Sequence, residues 1–207
     1  MTSEGSASAQ QYSPLYAATL AGDRAAVARL VRTPVDVNWR NADNHWPALT
    51  VAADAGNAEI VADLLRRDDL DVNVTDDLGQ TPLHVAADRG QGSVVDALLA
   101  DARVDVNPRD GLERTPLVAA ALRGRADAVS RLLADDRTEV NATDRDRQTA
   151  LHWAAVLGHL GVVRLLVADR RTDTAITSLP DERTAAQLAT AAGRYAAAEI
   201  IDSKGLE

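Results

Sequence analysis

The sequence predicts an all-α solenoid of stacked helix-turn-helix units, and three observations support that fold class. A leucine recurs at a step of 34 residues, at Leu15, Leu49, Leu83, Leu117 and Leu151. A glycine keeps the same step at Gly22, Gly56, Gly90, Gly124 and Gly158. Apolar residues make up 46% of the chain but aromatic residues only 3%, so the core must consist of small aliphatic side chains that suit closely stacked helices. A fixed period of this length is typical of repeat architectures, and six units tile almost the whole chain.

The first helix of each unit is predicted most clearly in the third unit. Thr81 supplies the oxygen with which an N-cap accepts a free backbone N–H, and Pro82 suits the first helical position, where no N–H is needed. Leu83 and Ala86 lie on one apolar face of the helix that follows. Gly90 ends this helix, because the chain turns there through a left-handed conformation.

A second helix follows the glycine in each unit. In the third unit Val94 and Leu98 are four residues apart, as are Val95 and Leu99, which is the spacing of one helical face. A polar turn that contains Asn107 then leads to the next unit. Two short helices cannot bury such faces alone, so we expect neighbouring units to share one continuous core.

The remaining units repeat this start signal with variations. Ser13 and Thr115 are each followed by proline, as Thr81 is. Thr149 and Thr184 keep the capping oxygen without the proline. The second unit has Pro47 at the capping position, so we expect an unusual helix start there.

The motif from Thr81 to Asn107 resembles the ankyrin repeat. It reads Thr-Pro-Leu-His-x-Ala-Ala, then Gly, then Val-Val-x-x-Leu-Leu, then Asp-Val-Asn. The segment from Thr149 to Val167 is nearly as similar, and the resemblance covers roughly residues 12–205. It implies an ankyrin-repeat solenoid with hairpin-like turns between the helix pairs. The last unit departs from the pattern, with Ala175 in place of the asparagine, which fits a capping repeat.

The resemblance also sets the expected domain boundaries. Residues 1–11 are polar and are expected to form a disordered tail, residues 12–205 the ankyrin repeat domain, and residues 206–207 a remnant of cloning. The expected repeats are residues 12–41, 42–75, 76–109, 110–143, 144–177 and 178–205. The chain has one lysine, Lys204, and many Arg, Ala and Asp residues, a bias that suggests a bacterial GC-rich genome.

Charge and composition argue against several classes of partner and location. The chain has a net charge of −9, and its basic residues form no stripe along the sequence. Both features argue against nucleic acid and anionic membranes as partners. There is no cysteine, so disulfides, thiolate nucleophiles and cysteine-bound zinc are excluded. No apolar run is long enough to span a membrane, and the first residues do not resemble a signal peptide. We therefore expect a cytoplasmic protein that is monomeric on its own.

Candidate catalytic groups are few. His84 and His152 occupy the histidine of the repeat motif, for which the resemblance implies a structural role in bracing the turn. No histidines or acidic residues show the spacing of a metal site. Paired acidic residues such as Asp76 and Asp77 fall in turns, where aspartate satisfies backbone donors. We expect no enzymatic activity, no metal and no cofactor.

The resemblance implies a protein-interaction module that binds its partner in a concave groove lined by hairpin tips and first helices. The family's variable contact positions correspond here to Trp46, Gln80, Asp88, Arg89, Leu112, Arg114, Leu122, Arg123, Val156 and Leu157. Two interpretations stay open for Trp46, surface contact or packing on a neighbouring turn. Two interpretations also stay open for the apolar group Leu122, Val156 and Leu157: these side chains form an interface with a partner, or they cover one another from solvent. The alternative functions are a groove that binds a small molecule or catalyses a reaction, and self-assembly through the end repeats.

Overall fold

A computed structural model describes residues 13–43 and 45–204, and within them the chain forms six helix pairs. The expected tail and the last two residues lie outside the described residues. The first helices are α1 Pro14–Leu20, α3 Ala48–Asp54, α5 Pro82–Arg89, α7 Pro116–Leu122, α9 Ala150–Leu157 and α11 Ala185–Ala191. The second helices are α2 Arg24–Leu30, α4 Ala58–Leu65, α6 Gly92–Leu99, α8 Ala126–Ala134, α10 Leu160–Ala168 and α12 Tyr195–Ser203. The all-α prediction is confirmed.

The capping residues act as the sequence predicts. The side chains of Ser13, Thr81, Thr115, Thr149 and Thr184 each accept a backbone N–H in the first turn of the helix that follows. The helix after Pro47 has no side-chain cap, as expected for the second unit. Gly90 has a φ of 77°, so the first helix of the third unit ends in the left-handed conformation that glycine adopts without strain.

The core is one continuous stack. Each first helix packs on the next first helix, and each second helix on the next second helix. The repeated leucines are almost fully buried, with exposures between 0% for Leu49 and 2% for Leu117. Ala86 and Ala87 on α5 are fully buried between neighbouring helices, where their small side chains permit the close approach that the composition predicted.

The hairpin tips are joined to one another by backbone hydrogen bonds. The Gly111 N–H donates to the Leu78 carbonyl at 2.8 Å. In the next two hairpins Arg145 donates to Leu112 and Leu179 donates to Asp146. The tips therefore form a fixed row beside the first helices, and residues on successive tips keep a constant relation to one another.

Asparagine side chains connect the turn of each unit to the turn of the next. Asn107 donates from Nδ2 to the Arg137 carbonyl and accepts at Oδ1 from the Glu139 N–H, both at 2.8 Å. The corresponding asparagines of three other repeats each make the same two hydrogen bonds to the backbone of the following repeat; they are Asn38, Asn73 and Asn141. The asparagine of the repeat motif is thus a contact between repeats.

Among the described helices, none has the length together with the apolar composition that crossing a lipid bilayer would require.

Candidate partner-binding surface

His84 is buried and has a hydrogen-bond partner at each ring nitrogen. Nδ1 accepts the Thr81 backbone N–H at 3.2 Å, and Nε2 donates to the Arg114 carbonyl at 2.9 Å in the next repeat. Burial lowers the pKa of the His84 imidazole, and the neutral ring is the form that can accept at Nδ1 while it donates at Nε2. This imidazole braces the helix start of its own repeat against the following hairpin.

His152 has the same geometry in the fifth repeat. Its Nδ1 accepts the Thr149 N–H at 3.2 Å, and Nε2 contacts the Arg183 carbonyl at 3.3 Å. Burial lowers the pKa of this ring as well. Both histidines therefore use their nitrogens within the fold, in the structural role that the sequence motif implies.

The turn aspartates hold the hairpins in shape. Oδ1 of Asp110 accepts the N–H groups of Leu112 and Arg114, each at 2.9 Å. Its other oxygen, Oδ2, pairs with the Arg114 guanidinium at 2.6 Å. Burial raises the pKa of Asp110, but the hydrogen bonds from Arg114 and Leu112 outweigh burial and bring that pKa below its ordinary value. Arg114 thus has a partner inside its own hairpin.

In two other turns, the corresponding aspartate oxygen, Oδ2, accepts a hydrogen bond from a tryptophan. The Trp46 indole N–H donates to Oδ2 of Asp76 at 3.3 Å, which places the half-buried ring against the next hairpin. The Trp153 indole N–H donates to Oδ2 of Asp144 at 2.7 Å, and that ring packs on the core. Trp46 therefore packs on the next hairpin and still has part of its side chain exposed to solvent.

Ion pairs connect the ends of the first helices across repeats. Arg89 pairs with Asp54 at 2.6 Å, and Arg123 pairs with Asp88 at 2.9 Å. The side chains of the two arginines are 54% and 56% exposed, whereas those of Asp54 and Asp88 are 31% and 25% exposed. The aspartate side chains are therefore less exposed than the arginine side chains, and each aspartate holds the guanidinium of its partner through a hydrogen bond from Nε.

These residues share one depression with the hairpins. It has a volume of about 170 Å³, and its lining residues are Trp46, Asp54, Gln80, Val85, Asp88, Arg89 and Arg123. The structure thus brings together five of the ten positions expected to contact a partner. We call these five the groove surface, and they are Trp46, Gln80, Asp88, Arg89 and Arg123.

The other five expected positions fall into two groups. Leu122 and Val156 are half-buried, and Leu157 is 41% exposed, at the first-helix positions that hold the ion pairs in earlier repeats. Leu112 is 48% exposed and shares a depression of about 420 Å³ between two hairpin tips with Leu78. Arg114 lines that same depression.

Among the exposed apolar residues that the sequence did not single out as contact positions, two lie at the starts of second helices. Leu160 and Tyr195 begin the second helices α10 and α12 and are 36% and 64% exposed. The signal that reveals them is a comparison of repeats, since the earlier units have no large apolar residue at the same place but Arg24, Ala58, Gly92 and Ala126.

Within residues 13–43 and 45–204, no three histidine or acidic side chains come together in a way that would hold a metal ion.

Comparisons with known proteins agree with this architecture. A family model described as ankyrin repeats (3 copies) matches residues 14–110 and 103–178. Among solved structures, the chain is similar to the crystal structure of EF0377, an ankyrin repeat protein, with a TM-score of 0.84 and 24% sequence identity. That similarity covers 92% of this chain and 98% of the other. No curated protein matches the chain. Because the family model matches most of the sequence, the chain belongs to the ankyrin repeat family.

Proposed function

We propose that this protein binds a segment of another protein on the groove surface. Ankyrin repeats are generally protein-interaction modules, and their scaffold is typically non-enzymatic. The observation that carries the proposal is the pair of inter-repeat ion pairs, Asp54 with Arg89 and Asp88 with Arg123, which leave oriented guanidinium groups in the shared depression. Arginine and tryptophan are the residue types most often found at interface hot spots.

The charge arrangement supports an acidic partner segment. Asp54 and Asp88 hold Arg89 and Arg123 in place, so their guanidinium groups lose little conformational freedom when they bind an oxygen acceptor. Carboxylates and phosphates are the acceptors that a guanidinium binds best. A segment with acidic side chains fits this part of the surface.

The apolar residues at the same positions of the fourth and fifth repeats support a polarity along the bound segment. Leu122 takes the position that Asp88 has in the third repeat, and Leu157 takes the position of Arg123. The surface thus changes from charged between the second and fourth repeats to apolar between the fourth and fifth. The bound segment is expected to carry acidic groups toward the second repeat and an apolar side chain toward the fifth.

The test requires the partner, which affinity capture and mass spectrometry would identify, followed by titration with purified components. Arg89→Gln and Arg123→Gln should each weaken binding by about tenfold, the effect of about 1.4 kcal/mol. Arg131→Gln is the matched control, because Arg131 pairs with Asp96 and Asp127 on the second helices, away from the groove surface. Equal loss in the control, or no loss in the two groove variants, contradicts the proposal.

Trp46→Ala and Leu122→Asp extend the test to the two ends of the groove, and both should weaken binding at equal folding. Arg114→Ala is less informative, because it also removes the partner of the buried Asp110 carboxylate. Because Arg89 and Arg123 are already paired with Asp54 and Asp88, added salt should change the association rate only modestly.

A further inference from the structure

An exposed apolar cluster lies at the loops that join the helices of the last two repeats. Leu157, Leu160 and Tyr195 are 41%, 36% and 64% exposed, and together with Arg194 they line a depression of about 340 Å³. That volume falls at the lower end of the ~300–1,000 Å³ range of ligand pockets. We call these four residues the loop-edge patch.

The fold does not require large apolar residues at this place. The core contacts of α10 come from Val162, Val163 and Leu166, whereas Leu160 at its start faces outward. In α12 the buried residues begin at Ala197, and Tyr195 is the most exposed apolar member of the patch. The second helices of the first four repeats begin with Arg24, Ala58, Gly92 and Ala126, so none of them begins with a large apolar residue. Exposed apolar patches that are rimmed by polar or charged groups often mark interaction sites.

Arg194 gives the patch its charge. Its Nε donates to the Val156 carbonyl at 3.4 Å, and its side chain crosses closely over Gly158, so the guanidinium is held at the edge of the depression. No carboxylate of the described residues forms an ion pair with it, in contrast to Arg89 and Arg123. Among the described residues that line this depression, Arg194 is the only charged one. Its positive charge is thus available to a partner.

We infer that the loop-edge patch is a second docking site, for an acidic peptide segment that carries one large apolar side chain. The apolar side chain packs between Leu160 and Tyr195, and a neighbouring carboxylate of the segment pairs with Arg194. This site shares Leu157 with the apolar end of the groove, but it makes no use of Arg89 or Arg123. It can therefore be tested separately from the groove proposal through Leu160, Arg194 and Tyr195.

The experiment is an NMR titration of the ¹⁵N-labelled protein with synthetic peptides. One peptide places a single phenylalanine between glutamates, a second places it between lysines, and a third replaces the phenylalanine by serine. The glutamate-flanked peptide should shift the backbone amides of Leu160, Arg194 and Tyr195. The other two peptides should bind about tenfold more weakly, because each lacks one of the two contacts.

Variants make the assignment specific. Leu160→Asp and Arg194→Gln should each weaken the glutamate-flanked peptide by about tenfold. Arg125→Gln is the matched control: Arg125 donates to the Asp88 carbonyl at 3.0 Å in the corresponding loop of the fourth repeat, which lacks large apolar neighbours. It should leave the affinity unchanged. Circular dichroism of each variant verifies that helix content is retained.

Three results would overturn the inference. The first is equal affinity for the lysine-flanked peptide, and the second is a set of shifted amides confined to the groove surface. The third is a self-association in analytical ultracentrifugation that Tyr195→Asp abolishes, which would make a second copy of the chain the occupant. Loss of peptide binding in Arg89→Gln but not in Leu160→Asp would assign the peptide to the groove and refute this site alone.

Discussion

At the scale of single residues, the same structural task is performed by two different side chains. In the third and fifth repeats, His84 and His152 accept the backbone N–H of the capping threonine. In the sixth repeat Gln187 occupies this position, and its Oε1 accepts the Thr184 N–H at 2.9 Å. Both chemistries close the first turn, but only histidine adds a titratable group. The choice of histidine therefore links stability to pH in the third and fifth repeats.

The first prediction concerns that link. Burial lowers the pKa of both histidines in the folded protein, so the unfolded chain takes up protons first as the pH falls below about 6.5, the ordinary histidine pKa. The free energy of unfolding should be highest above that pH and should decrease as the pH falls below it. The double variant His84→Gln with His152→Gln, which copies the sixth repeat, should have a smaller decrease. Urea unfolding between about pH 7.5 and pH 5.5 measures it.

The carboxylates change the free energy of unfolding in a lower pH range than the histidines, so the two contributions can be separated. The pKa of Asp110 is below its ordinary value of about 3.8, so its contribution is present above that pH and is lost only as the pH falls further. An unchanged slope in the double glutamine variant would show that the histidines do not control stability in this range.

At the scale of elements, charged side chains close the ends of the second helices. Arg103 donates to the Leu65 and Arg67 carbonyls at the end of α4, both at 2.8 Å, while Asp101 holds its guanidinium. Lys204, the one lysine of the chain, donates in the same way to the Asp169 carbonyl at 2.7 Å. A cation at a helix C-terminus also interacts favourably with the helix dipole. From the second repeat onward, a cation of each repeat therefore caps the second helix of the repeat before it.

The second prediction tests the asparagine contacts between these elements. Asn107→Ala removes two hydrogen bonds between repeats, so it should lower the free energy of unfolding by about 1–3 kcal/mol. Asn57→Ala is the matched control, because Asn57 makes no side-chain capping bond at the start of α4. Its cost should stay within about 0.5 kcal/mol, the scale of ordinary surface changes. Chemical denaturation gives both values, and equal costs would contradict the role of Asn107.

At the scale of the whole molecule, stability is shared because every internal repeat is buried on two sides. Leu117 on α7 is 2% exposed, and α7 packs on both α5 and α9. A change at this position therefore acts on three repeats at once. The same sharing means that a repeat removed from the stack loses the neighbours that bury its faces.

The third prediction is that Leu117→Ala lowers the free energy of unfolding by about 2–5 kcal/mol, the usual range for a buried leucine truncated to alanine. Leu112→Ala is the control of the same chemistry, since Leu112 is 48% exposed at a hairpin tip. Denaturant unfolding compares the two. A loss below about 0.5 kcal/mol for Leu117→Ala would mean that the core face has been misassigned.

The fourth prediction concerns a fragment of the stack. Residues 42–108 contain α3 to α6, and isolating them exposes the faces that otherwise pack on α1, α2, α7 and α8. This fragment should unfold at a lower urea concentration than the full chain, with circular dichroism at the helical band as the readout. An unchanged midpoint would show that each pair of repeats is stable without its neighbours.

Most of the fold was predictable from the sequence because its signals are local and repeated. The capping threonine, the buried leucine and the left-handed glycine each act within a few residues of their own position, and Thr81, Leu83 and Gly90 behave in the structure as their residue types predict. Repetition then made a weak local signal reliable. The family and the expected contact positions followed from this same pattern.

Only the tertiary structure decided which of those positions face solvent and what they contact. Arg89, Arg123 and Arg114 look alike in the sequence, yet the first two pair with aspartates one repeat away and stay more than half exposed, whereas Arg114 pairs within its hairpin with the buried Asp110. Sequence spacing cannot distinguish these outcomes, because a pairing partner is chosen by the distance between side chains after the repeats have stacked. The sequence by itself determined the repeat, its caps and its core face. The stacking of the repeats determined the charge pattern of the groove surface and the exposure of the loop-edge patch.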